Sequence, residues 1–160
     1  MTQIIDLVHL YQLRSSIHFQ GKVIVLASGV FDLLHQEHKQ FLAKAKTVGD
    51  ILLVGLETDT RVSRMKGPGR PINSLSTRLD NLAQLNVADY VFGLPANFGH
   101  SKIRQDFVLK LQPHILAVSD QAPHFGEKQR IMKLVGGQVL IVHPYNSAIS
   151  TTKIIDKLKK

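Results

Sequence analysis

Short, β-branched apolar runs alternate with helical stretches along nearly the whole chain, and this alternation limits the folds open to it. Residues 23–27, 51–56, 91–92, 115–118 and 139–142 are rich in Val, Ile and Leu and too short for buried helices. Between them apolar residues recur at helical spacing. In 36–48, Phe41, Leu42, Ala45 and Val48 share a face; in 76–85, Leu79, Leu82, Ala83 and Leu85 do so. Residues 101–111, 128–135 and 150–159 read as helices too, with Ser76-Thr77 and Ser150-Thr151-Thr152 as caps. Near the start, Ile4, Ile5, Val8, Tyr11 and Leu13 are also close to helical spacing.

Strand–helix alternation in this order predicts βαβ units. The expected fold class is α/β: a single Rossmann-like, doubly wound parallel sheet with helices on both faces. The 160 residues suit one domain, with 1–20 as a helical extension and 22–158 as its core. The one loop long enough to invite a functional reading is 66–74, KGPGRPINS.

Lys and Arg number 20 against 12 Asp and Glu, a formal charge of +8 that suits an anionic partner. With no Cys there is no disulfide framework, thiolate zinc site or Cys nucleophile. No apolar run reaches the roughly 18–20 residues that span a bilayer. Asp6 and His9 interrupt the first apolar stretch, which argues against a secretory leader. The expectation is a soluble, cytoplasmic protein that does not engage a membrane.

In doubly wound sheets, ligands bind beyond the carboxyl ends of the strands, where strand order reverses. The first long strand runs into SGVFDLLHQEH, which carries Asp32, His35 and His38. The two histidines, three apart at a helix start, can turn to one side, where free backbone N–H groups favour phosphate oxygens. His35-Gln36-Glu37 fits half of a zinc deaminase motif, but the paired cysteines are missing. No zinc and no metal site of the protein's own is expected. Both the G-x-G-x-x-G fingerprint and the P-loop are absent after this strand.

The segment SGVFDLLHQEH resembles the G-x-F-D-x-x-H-x-G-H signature of cytidylyltransferase-type nucleotidyltransferases. Four more segments follow in that family's order: 46–50 (KTVGD), 54–59 (VGLETD), 66–72 (KGPGRPI) with Arg78, and 149–154 (ISTTKI). Within the family the chain is similar to the adenylyltransferase domain of ADP-heptose synthases and to glycerol-3-phosphate cytidylyltransferases. The resemblance implies that a phosphorylated metabolite, such as a sugar or polyol phosphate, attacks the α-phosphate of ATP or CTP. Pyrophosphate leaves, with Mg²⁺ carried on the nucleotide phosphates.

The resemblance assigns His35, His38 and Lys46 to catalysis. Gly29, Val30, Phe31, Asp32, Glu37, Arg70, Ser150, Thr151 and Thr152 fall to the nucleotide, and Lys66, Arg78 and Asp120 to the acceptor. His35 and His38 would donate hydrogen bonds as charge builds in the transition state. Lys46 would act as a point cation, and Arg70 and Arg78 would grip oxygens with their forks. Asp32 is expected to orient the histidine turn rather than take a proton. The resemblance also admits a homodimer, which no pattern in the sequence establishes.

Three departures stand out. Glu37 replaces the second signature glycine, adding bulk and a carboxylate beside the expected phosphates. It can point to solvent, contact a base or sugar hydroxyl, or block the site. Residues 116–120, LAVSD, replace a K-G-G-D segment and keep only Asp120; Tyr145, Asn146, Ser147 and Ala148 replace an Arg- and Gly-containing turn. A relative that holds nucleotide without turning it over is thus the rival to an active transferase. Nucleic-acid binding has little to support it, since aromatics are 6% and no helix-turn-helix or RNP signature is present.

Overall fold

The computed structural model describes residues 1–144 and 148–160. Among these, six strands form one sheet: β1 (Gln3–Ile4), β2 (Ile24–Gly29), β3 (Ile51–Leu56), β4 (Tyr90–Gly93), β5 (Ile115–Ser119) and β6 (Gln138–His143). Seven α-helices accompany them: α1 (Leu7–Arg14), α2 (Gln36–Thr47), α3 (Asp59–Lys66), α4 (Leu75–Gln84), α5 (Ser101–Leu111), α6 (Phe125–Leu134) and α7 (Thr151–Leu158). Every neighbouring pair of strands is parallel, in the order β1-β4-β3-β2-β5-β6. The expected α/β doubly wound sheet is therefore the observed one.

The strand period of two divides the core. In β2, Ile24 and Leu26 face a cluster that takes Leu10 from α1, Phe107, Val108 and Leu111 from α5, and Ile131 and Met132 from α6. Val25 and Ala27 face the other cluster, with Leu42 and Ala45 of α2 and Leu82 of α4. All six residues of β3 are buried, as a strand covered on both faces requires. Each fully buried Val, Leu or Ile contributes roughly 1.5–3 kcal/mol of transfer free energy.

Two elements differ from the sequence expectation. Residues 1–20 are more than a helical extension, because β1 adds an edge strand beside β4. The Thr2 hydroxyl donates to Ala88 O at 2.6 Å and Ile5 N donates to Val91 O at 3.0 Å. A two-residue strand is too short to leave a periodic signal, and Asp6, accepting from His9 N, starts α1 only afterwards. The second is α3, whose sequence DTRVSRMK buries Val62 alone and so presents no apolar stripe. It starts at Thr58, whose hydroxyl accepts from Arg61 N, and ends at Gly67, whose φ of 95° favours glycine. Likewise α4 is capped by Ser74, which accepts from Thr77 N, rather than by Ser76-Thr77.

From β2 the chain steps outward through β3 to β4, then returns to place β5 on the other side of β2. The reversal leaves a crevice between the carboxyl ends of β2 and β5. Among the described residues, no helix is long and apolar enough to cross a membrane.

Candidate active site

The crevice opens into a cavity of about 720 Å³. Its walls bring together Gly29, Val30, Phe31, His35, Glu37, His38, Lys66, Arg70, Ser150, Thr151 and Thr152. These come from three separated stretches of chain, 29–38, 66–70 and 150–152, that the sequence motifs had singled out.

The end of β2 shapes the floor. Phe31 adopts a left-handed φ of 50°, uncommon for a bulky residue, and folds its ring back over Gly29. A Cβ on Gly29 would stand 2.9 Å from Phe31 Cε2, so glycine is needed for that fold-back. The Phe31 ring then meets the His38 ring edge-on, with centroids 5.2 Å apart.

His35 is the N-cap residue of α2, but its side chain makes no capping bond. Its ring stacks on that of His38, centroids 3.7 Å apart and planes 17° from parallel. Both Nδ1 atoms are buried without a hydrogen-bond partner. Burial and the neighbouring His35 push the His38 pKa down from 6.5 to about 4, opposed by the Leu33 carbonyl and Glu37. Burial also lowers His35, opposed by Glu37. The pair is thus a neutral, pre-positioned set of N–H donors at a helix N-terminus, suited to phosphate oxygens rather than to proton storage.

Two loops close the opposite wall. Arg70 donates from Nη1 to Thr152 Oγ1 at 3.3 Å, joining the 66–74 loop to the start of α7 across 82 residues. Thr151 Oγ1 donates to Leu33 O at 3.3 Å, and Ser150 Oγ caps α7 by accepting from Lys153 N at 3.1 Å. The Ser150 hydroxyl is therefore engaged as a helix cap.

Three expected site residues act from beneath the surface or elsewhere. Asp32 is 2% exposed and accepts from Ile72 N at 2.8 Å and Asn73 N at 2.9 Å, with Arg70 Nε 3.5 Å away. It fixes the Arg70 loop to the histidine turn. Arg78, expected to grip the acceptor, is fully buried instead. Its guanidinium donates to Val30 O at 2.9 Å, Asn73 O at 3.1 Å and Asp59 Oδ1 at 2.7 Å, making it a strut behind the site. Asp120, just past β5, uses its backbone N–H to reach His143 O at 3.2 Å and does not line the cavity, whereas Ser119 does.

Lys46 is not with the histidines. Eleven residues separate it from His35 on one helix, about 16 Å along the axis at 1.5 Å per residue. Its ammonium donates to Asp89 Oδ2 at 2.5 Å and Asp50 O at 2.8 Å, beside the amino-terminal ends of β3 and β4. The expected result for Lys46→Ala is unchanged turnover, within about twofold, and a stability loss of at most about 1 kcal/mol, since the pair is partly solvated. Kinetics and urea unfolding of that variant check both.

Glu37 is answered by a residue 106 positions away. Its Oε2 lies 2.7 Å from His143 Nε2, and His143 Nδ1 lies 3.1 Å from Lys44 Nζ. An ammonium only donates, so Nδ1 accepts and Nε2–H donates to Glu37. The carboxylate is drawn toward the end of β6 and is one-sixth exposed, at 17%. Neither His143 nor Lys44 carries a motif signal.

Sequence reasoning also missed a charged wall beyond β3, formed by Glu57, Arg61, Arg104 and Lys128 with Phe98. Recognising Thr58-Asp59 as a helix start would have placed Arg61 one turn from Glu57. Tyr145, Asn146 and Ser147 lie outside the described residues.

The cytidylyltransferase-like family model matches residues 26–157. The bifunctional protein HldE of Pseudomonas entomophila is 35% identical over 144 residues, which are 88% of this chain and 28% of the relative. HldE of Nitrosococcus oceani is 35% identical over 156 residues, 97% of this chain and 31% of the relative. The chain thus spans less than a third of the length of these relatives.

Among solved structures, a lipopolysaccharide core biosynthesis protein from Thermoplasma volcanium superposes with a TM-score of 0.63 at 29% identity. The match covers 79% of this chain and 98% of that one. Pantoate-beta-alanine ligase from Francisella tularensis shares the fold, with a TM-score of 0.69 at 14% identity over 99% of this chain and 77% of that one. With the family match covering most of the chain and the HldE identities agreeing with it, the chain belongs to the cytidylyltransferase-like family of nucleotidyltransferases.

Proposed function

We propose that this chain transfers a nucleotidyl group from ATP or CTP to the phosphate of a sugar or polyol phosphate, releasing pyrophosphate. The observation that carries the reading is the stacked His35–His38 pair, which faces the same cavity as the Arg70–Thr152 clasp. In the reaction an acceptor phosphate oxygen forms a bond to the α-phosphorus, and the bond from that phosphorus to the bridging oxygen breaks. The imidazole N–H groups donate to the α-phosphate and the bridging oxygen, where charge accumulates. Arg70, Lys66 and the first turn of α7 receive the β- and γ-phosphates through fork, ammonium and backbone N–H donors. Mg²⁺ enters as part of the nucleotide substrate, on the phosphate oxygens.

ATP with a heptose phosphate is the first pair to try, because the relatives include HldE and a lipopolysaccharide core biosynthesis protein. The rival reading, nucleotide binding without turnover, rests on Glu37 lying in the cavity wall. The His143 bond that draws Glu37 toward β6 favours turnover.

The test is pyrophosphate release with Mg²⁺ and each of ATP, CTP, GTP and UTP, crossed with sugar, glycerol and alcohol phosphates. A productive pair is expected from ATP or CTP with a hydroxylated phosphate. Nucleotide binding by calorimetry with no release from any pair, together with release gained in Glu37→Gly, establishes the rival instead.

A further inference from the structure

The wall beyond β3 holds a pair of charges with unmet hydrogen-bonding capacity. Glu57 follows β3 directly, held by its backbone N–H on Gly29 O at 3.0 Å, and Arg61 lies one turn along in α3. Glu57 Oε2 and Arg61 Nε are 3.9 Å apart, beyond the roughly 2.7–3.2 Å of a hydrogen bond. Both atoms are buried with no hydrogen-bond partner.

The other charges in this wall are committed. Arg104 donates to Phe98 O at 3.1 Å, Gly99 O at 2.6 Å and Glu127 Oε2 at 2.6 Å, and Lys128 donates to Pro123 O. Burial pushes the Glu57 carboxyl above its ordinary range, while Arg61, Arg104 and Arg78 pull it back. The Arg61 guanidinium lies close against Gly99, where an added Cβ would stand 2.7 Å from Cζ, so glycine at 99 leaves it room.

Buried polar groups are normally satisfied, so an unsatisfied pair in a cavity wall calls for a ligand group. A phosphate oxygen accepts from Arg61 but is repelled by Glu57; an ammonium donates to Glu57 but is repelled by Arg61. A hydroxyl does both at once, accepting from the guanidinium and donating to the carboxylate. The final torsion of a glutamate is soft, so its free oxygen turns into the cavity at little cost. Phe98 in the same wall offers an apolar face to the C–H side of a carbon skeleton.

We infer that Glu57 and Arg61 bind hydroxyl groups of the acceptor, making this pair the determinant that selects a polyhydroxylated phosphate over a plain alkyl phosphate. The inference rests on the transferase reading and names the residues that choose its acceptor.

The test compares matched ligands by calorimetry: glycerol 3-phosphate against propyl phosphate, and hexose 1-phosphates against cyclohexyl phosphate, each with ATP binding as control. The wild-type protein is expected to prefer the hydroxylated member by about 10–100-fold. Glu57→Ala and Arg61→Met are each expected to lose most of that preference while keeping ATP affinity within about twofold. Equal affinity for both members in the wild-type protein, or an undiminished preference in both variants, overturns the inference. Hydroxyl-dependent binding that responds to both substitutions, with no pyrophosphate release from any nucleotide, supports the pair's role and counts against the transferase reading alone.

Discussion

Replacing His38 with alanine is expected to lower pyrophosphate release by about 10²–10³-fold at saturating substrates, the usual cost of removing one transition-state donor. His35 stacks against one of its faces, and Phe31 closes its edge. Steady-state kinetics on the variant decide the matter, and full turnover would remove His38 from the reaction.

The same substitution has a second reading in acid. The folded protein binds a proton on His38 near pH 4, whereas the unfolded chain binds it near the ordinary 6.5. Stability is therefore lost as pH falls from 6.5 toward 4, by about 3 kcal/mol for this one group. His38→Ala is expected to flatten that part of the stability curve in urea titrations. An unchanged slope would mean that the ring titrates normally in the fold.

The second large effect is expected at Asp32, which does no chemistry. Its carboxylate holds Ile72 N and Asn73 N and faces Arg70, while Arg78 ties Asn73 O to Val30 O from behind. Asp32→Ala leaves two part-buried N–H groups and a nearly buried guanidinium without their anion, which costs about 2–3 kcal/mol. It also frees the loop that carries Arg70 to Thr152, so KM for nucleotide is expected to rise about tenfold or more. Urea unfolding and nucleotide kinetics measure the two effects separately. Stability within about 0.5 kcal/mol of the wild-type value would show that the loop is held by something else.

How legible each part was depended on whether its cause is local. Strands covered on both faces need continuous apolar runs, so β2, β3 and β5 were visible in the sequence within a few residues, and the half-exposed edge strand β6 showed through its run of Val, Leu and Ile. The histidine turn was legible because three-residue spacing at a helix start needs no tertiary context. In contrast, β1 is too short for periodicity, and α3 is held by its cap and Val62 rather than by an apolar stripe.

Site residues divided the same way. Lys46 and Arg78 have suitable charges in suitable motifs, but helix length carries Lys46 to the far end of the sheet and burial commits Arg78 to backbone carbonyls. The partners that define Glu37 and Arg61 could not be read from the sequence. His143 is 106 residues from Glu37, and Gly99 reaches Arg61 only because β4 and its following loop lie beside β3.

The reversal of strand order has a further consequence for how such a scaffold diversifies. The histidine pair hangs from the end of β2 and the start of α2, while the Glu57–Arg61 pair hangs from the end of β3 and the start of α3. On the inferred role of Glu57 and Arg61, substitutions beyond β3 change which acceptor is admitted without touching the histidine pair. On the proposed reading, acceptor choice and the histidine donors are carried by neighbouring but distinct strand–helix units.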